Sequence, residues 1–196
     1  MAKKKIKPGN KDALIIVDVQ NDFLPGGSLA VRNGDQIIPI LNYYINLFQQ
    51  LNLPIFATRD WHPFNHCSFK DYGGIWPVHC VAGTIGADFA ANLNINEYIT
   101  IISKATTAEK DAYSGLEGTD LEKSMKNVGA KLIWVGGLAT DYCVLNTVED
   151  LINAGFRVNL LLDAIRAVNI KPDDGQNAVK KMQNLGAQII RKEEVL

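Results

Sequence analysis

The chain has 196 residues, 47% apolar and 21% charged, with a formal net charge of −1, which fits one soluble globular domain with room for a sizeable core. Near-neutral charge gives no electrostatic footprint for nucleic acid, and no apolar run approaches the about 20 residues that span a bilayer. There is no signal-peptide core, and the three cysteines, Cys67, Cys80 and Cys143, are too few and odd in number for a disulfide framework, so a reduced, cytoplasmic compartment is expected.

In chain order, the basic opening Met1–Lys7 reads as a solvated tail, with residues 1–11 ahead of the domain. Ala13–Val19 is continuously apolar, the pattern of a strand buried on both faces. Asp35–Asn52 carries apolar residues at helical spacing, with Asp35 as its cap. Pro54–Thr58 is the next strand. Residues 60–88 form a long irregular stretch that holds two tryptophans, all three histidines and two cysteines, a composition that argues for a functional loop rather than disorder. Further strands are expected at Ile99–Ser103, Lys131–Val135, Val158–Leu162 and Ala187–Ile190. Helices are expected at Thr119–Val128, Asp141–Ala154 and Asp173–Leu185, with Gly129, Gly155 and Gly186 closing them. This alternation predicts a three-layer α/β fold with a mainly parallel sheet, whose ligand site lies beyond the carboxyl ends of the strands.

Three chemistry-bearing residues fall at such ends. Asp18 closes the first strand, Lys104 the third, and Cys143 follows the fourth in Gly136-Gly137-Leu138-Ala139-Thr140-Asp141-Tyr142-Cys143. A cysteine in the first turn of a helix gains from the free N–H groups and the helix dipole, which favour its thiolate. Lys104 would then stabilise the thiolate, while Asp18 would take its proton and return it to a leaving group. Read singly, each has a plainer role: a turn residue, a strand-end charge, a small core residue.

A second group is Asp60 and His62 in Asp60-Trp61-His62-Pro63, with His79 in Trp76-Pro77-Val78-His79-Cys80. One carboxylate and two imidazoles suit a divalent transition metal with open coordination positions. Cys67 and Cys80 with His66 and His79 lack the Cys-x₂-Cys spacing of a structural zinc site. Phe23 and Trp76 are either core aromatics or walls for a flat ring.

Five segments in order carry a resemblance over nearly the whole chain: Asp18-Val19-Gln20-Asn21-Asp22-Phe23, Asp60-Trp61-His62-Pro63, Trp76-Pro77-Val78-His79-Cys80, Ala112-Tyr113-Ser114-Gly115, and Gly137-Leu138-Ala139-Thr140-Asp141-Tyr142-Cys143-Val144. Together they resemble the nicotinamidase/pyrazinamidase branch of the isochorismatase-like cysteine hydrolases. The resemblance implies a Rossmann-like sheet, an Asp18–Lys104–Cys143 triad, and one divalent metal held by Asp60, His62 and His79, with zinc expected ahead of iron or manganese. It implies a cis peptide between Leu138 and Ala139, an oxyanion hole from the N–H groups of Ala139 and Cys143, and Phe23, Trp76, Ala139 and Tyr142 around the substrate. The implied reaction converts nicotinamide to nicotinate and ammonia in NAD salvage, with a homo-oligomer possible and neither nucleic acid nor membrane as partner.

Two departures stand out. No glutamate lies between His62 and His79, so water, His66 or Asp71 would replace that extra ligand of some relatives. Leu116 stands where many relatives carry an aromatic. The rival readings are an amidase or isochorismatase-type hydrolase for another small substrate, and a non-catalytic binding module. The latter lacks a Gly-rich phosphate loop after the first strand.

Overall fold

The computed structural model describes residues 5–196. Its strands are β1 (Asp12–Val17), β2 (Ile55–Asp60), β3 (Ile99–Lys104), β4 (Leu132–Leu138), β5 (Arg157–Arg166) and β6 (Gln188–Ile190). The helices are α1 (Ile38–Gln50), α2 (Leu121–Asn127), α3 (Leu145–Asn153) and α4 (Asp174–Asn184). All neighbouring strands pair in parallel, in the order β3-β2-β1-β4-β5-β6. That is the doubly wound arrangement, and its direction of winding reverses between β1 and β4.

Period-two alternation in β1 sorts the core into two layers. Leu14 and Ile16 pack with Leu41, Tyr44, Ile45 and Phe48 of α1. Ala13, Ile15 and Val17 pack on the other face with Leu121 of α2, Val148 and Leu151 of α3, and Met182 of α4. The sheet is therefore covered on both sides, which is why β1 reads as an unbroken apolar run.

Several boundaries differ from the sequence reading, each for a local reason. Asp35 gives no side-chain cap; it lies in a 3₁₀ turn, Gly34–Ile37, that leads into α1. The strand β4 runs on through Gly136 and Gly137 to Leu138, and β5 extends to Arg166 around an irregularity in their pairing. The nucleophile-candidate segment is a wide π-helical turn, Thr140–Val144, and regular α-helix begins only at Leu145. The expected tail is partly docked: Pro8 is buried, and Ile6 donates to Glu194 O at 2.7 Å while accepting from Leu196 N at 3.0 Å. Met1–Lys4 lie outside the described residues.

The backbone of β4 passes close to the end of β1 at Gly137. Gly137 has a φ of +131°, and a Cβ built there would sit 2.1 Å from Val17 O and 2.6 Å from Val17 N. Gly137→Ala should therefore destabilise the fold by about 3 kcal/mol or more, because β1 must shift as well as the backbone of residue 137. Gly155→Ala has a φ of +88° with nothing within 4 Å, and should lose only the left-handed penalty of about 1–2 kcal/mol. Urea unfolding of both variants checks this; equal losses would show that contact with Val17 is not limiting.

Candidate active site

Four strand ends converge at one edge of the sheet. After Val17 the chain turns out of β1 at Asp18, with a φ of 48°. Thr58 in β2 holds the turn: its carbonyl accepts the Asp18 N–H at 3.2 Å, and its hydroxyl donates to Asp18 Oδ1 at 2.6 Å. The β2–β3 register places Asp60 beside Lys104. Cys143 arrives from the turn after β4, the strand next to β1 on its other side.

Lys104 is 1% exposed and its ammonium touches every member of the group. Nζ lies 2.5 Å from Asp60 Oδ1, 3.1 Å from Asp18 Oδ2 and 3.6 Å from Cys143 Sγ, and donates to Ala112 O at 2.9 Å. Burial alone would lower the lysine pKa, but the Asp18 and Asp60 carboxylates push it well above the usual range. Burial raises Asp18 as well, with Lys104 opposing. At Asp60 burial is outweighed, chiefly by Lys104, and the carboxyl is held well below its usual value.

Burial pushes the Cys143 thiol well up, and Asp18 and Asp60 add to this against the pull of Lys104. The pull toward a thiolate expected at the helix start is thus opposed by burial, the largest influence on the sulfur. The π-helical turn Thr140–Val144 also precedes the regular helix.

The second cluster shares Asp60. One ligand atom each from Asp60, His62 and His79 lies within 4.8 Å of the others. His62 follows β2 into the irregular loop, where its backbone pairs with Cys80 O at 3.0 Å and with Ala82 N at 2.8 Å, drawing His79 alongside. Asp22 pins the same place by accepting the Cys80 N–H at 2.7 Å. His62 Nδ1 lies 3.1 Å from Ala105 O and His79 Nδ1 lies 2.8 Å from Pro77 O. Carbonyl partners assign the protons to Nδ1, leaving each Nε2 a lone pair. His62 Nε2 is buried with no hydrogen-bond partner, the state of a metal donor rather than of a packing histidine. These residues fit a divalent cation.

Asp18, Asp60 and Cys143 also place donor atoms within 4.8 Å of one another, but Lys104 Nζ already serves as their cation. His66 is not positioned as a ligand. Its ring stacks on His62 at 4.1 Å, with Nδ1 2.7 Å from Ser68 Oγ and Nε2 3.2 Å from Lys110 O. Asp71 is exposed and lies outside the cluster.

The pocket above both clusters, about 440 Å³ including its mouth, is lined by Phe23, Asp60, Trp76, His79, Ala139, Tyr142 and Cys143, among others. Phe23 packs 5.7 Å from His79. Trp76 meets Tyr142 edge-on at 5.1 Å and donates from Nε1 to Tyr113 OH at 2.9 Å. The peptide between Leu138 and Ala139 is cis. Thr58, Gln20 and Tyr113 have no assigned role in the sequence reading. Gln20 and Tyr113 stand inside quoted motifs, and Thr58 ends an expected strand, so the signal was position without chemistry.

Residues 12–194 match the model of the Isochorismatase domain. Nicotinamidase of Escherichia coli (strain K12) is 34% identical over 198 residues, covering 90% of this chain and 93% of the relative. A pyrazinamidase of Pyrococcus horikoshii solved in complex with zinc is 48% identical with a TM-score of 0.89, covering 92% of this chain and 99% of that one. PnC1 of L. infantum, solved in complex with nicotinate, is 34% identical with a TM-score of 0.88 and covers 95% and 96%. Because the family model spans β1 to the last turn of the chain, and these relatives align along nearly their full lengths, the chain belongs to the Isochorismatase domain family.

Proposed function

We propose that this chain is a cysteine amidohydrolase that converts nicotinamide, and by the same chemistry pyrazinamide, to the carboxylate and ammonia. One observation carries the reading: Lys104 Nζ touches Asp18, Asp60 and Cys143, and Asp60 and Cys143 both line one pocket with His62 and His79. Relatives named nicotinamidase and pyrazinamidase, at 34% and 48% identity, support the substrate class.

In this reading Asp18 takes the proton of Cys143, and the sulfur attacks the amide carbon. Lys104 holds the thiolate as it forms. The N–H groups of Ala139 and Cys143 receive the oxyanion, fixed in place before charge develops. Asp18 returns the proton to the leaving nitrogen, ammonia departs, and water hydrolyses the thioester with Asp18 as base. Phe23 and Trp76 flank the ring, Tyr113 fixes the Trp76 indole, and Tyr142 closes the wall. Asp60, His62 and His79 would hold a divalent metal, and the zinc-bound relative supports zinc. Held there, a metal would supply a Lewis-acidic anchor that orients the substrate. Three free cysteines, one of them the nucleophile, suit a reducing, cytoplasmic compartment. Among the described residues no helix is long and apolar enough to cross a membrane.

Cys143→Ala should reduce ammonia release from nicotinamide by about 10³-fold or more while nicotinate still binds by calorimetry; retained turnover would refute the nucleophile assignment. In protein verified free of metal by elemental analysis, the KM for nicotinamide should rise by about 10-fold or more and fall again on adding zinc. An unchanged KM would remove the orienting role.

A further inference from the structure

The backbone pairing between β1 and β2 stops short of Asp60. In a parallel ladder the N–H and C=O of one residue face the same neighbouring strand, and those of the next residue face the other. Thr58 faces β1, where its carbonyl accepts the Asp18 N–H. Trp61 faces β3, donating to Lys104 O at 3.1 Å. Asp60 therefore faces β1, but at Asp18 that chain has turned out of the sheet, with a φ of 48°, and no peptide of β1 remains to meet it.

Gln20 fills the gap. Its Oε1 accepts the Asp60 N–H at 2.8 Å, and its Nε2 donates to Asp60 O at 2.7 Å and to Ala87 O at 2.9 Å. The side chain is fully buried, so one carboxamide supplies both the donor and the acceptor of the missing strand. Its other amide hydrogen ties down the far end of the irregular loop.

We propose that Gln20 is a positioning residue for the metal centre. By fixing both backbone polar groups of Asp60, it holds that carboxylate with one oxygen on Lys104 and the other 3.7 Å from His62 Nε2. Without Gln20, three buried backbone groups lose their partner. They recover one only if Asp60 moves or water enters the pocket floor, and either displaces a ligand. The inference rests on the metal reading given under the proposed function.

The test is zinc affinity, read by competition with a chromophoric chelator, in the wild-type chain, Gln20→Ala, Gln20→Met and Trp134→Phe. Gln20→Met fills the space without hydrogen bonding. Trp134→Phe breaks a different buried bond, from Trp134 Nε1 to Asp12 Oδ2 at 2.9 Å, at the opposite edge of the sheet. Both Gln20 variants should bind zinc about 10–100-fold more weakly, the usual cost of losing a partner of a metal ligand, with Trp134→Phe unchanged. Wild-type affinity in folded Gln20 variants, or an equal loss in Trp134→Phe, overturns the inference. So does failure of both Gln20 variants to fold while Trp134→Phe folds, since the residue would then hold the whole fold. A wild-type chain that binds no zinc defeats the metal reading itself, and this inference with it.

Discussion

A buried ammonium organises this site. Lys104 is almost wholly removed from water, a placement that costs several kcal/mol unless opposite charge and hydrogen-bond acceptors surround the group. Asp18, Asp60 and Ala112 O provide them, and Cys143 Sγ closes the shell. The two halves of the site are thus one electrostatic unit. Asp60 gives one oxygen to the lysine and turns the other toward His62, so the nucleophile group cannot shift without disturbing the candidate metal ligands.

The sheet makes this possible because the four groups come from four strand ends. The β2–β3 register sets Asp60 against Lys104, and the reversal of winding between β1 and β4 opens the crevice where Asp18 and Cys143 meet. Reaching into the crevice forces Asp18 into the left-handed region, a conformation that costs a non-glycine residue about 1–3 kcal/mol. Cys80 and Ala105, which flank the candidate metal ligands, have positive φ as well. Side chains make good what the bent backbone loses: Thr58 bonds Asp18, Gln20 bonds Asp60, and Asp22 bonds Cys80.

This division explains what the sequence reveals. The six strands and the parallel three-layer sheet are legible because β1 through β6 contain apolar runs, most of them separated by helical periodicity that closes at glycines such as Gly129 and Gly155. Strand ends then bring Asp18, Lys104 and Cys143 to one edge by topology alone. The π-helical turn at Thr140–Val144 is not legible, since periodicity cannot separate it from the first turn of α3. The docking of Ile6 against Val195 is also hidden, because it joins residues from opposite ends of the chain. Nor does the spacing of His66 show that its two ring nitrogens are taken by Ser68 and Lys110. The burial of Cys143 is hidden for a related reason. A helix start argues locally for a thiolate, whereas the burial that opposes it depends on long-range packing.

The same long-range packing shapes the reactivity of the sulfur. Burial raises both Asp18 and Cys143, so acid and thiol are shifted in the same direction. A thiol that stays protonated is also less open to oxidation than a standing thiolate. Asp60 is among the charges that raise both groups, while its own charge is held chiefly by Lys104. Any cation that draws on Asp60 weakens its hold on Asp18 and on the sulfur together. The candidate ligand cluster therefore bears on Cys143 through one shared carboxylate, Asp60.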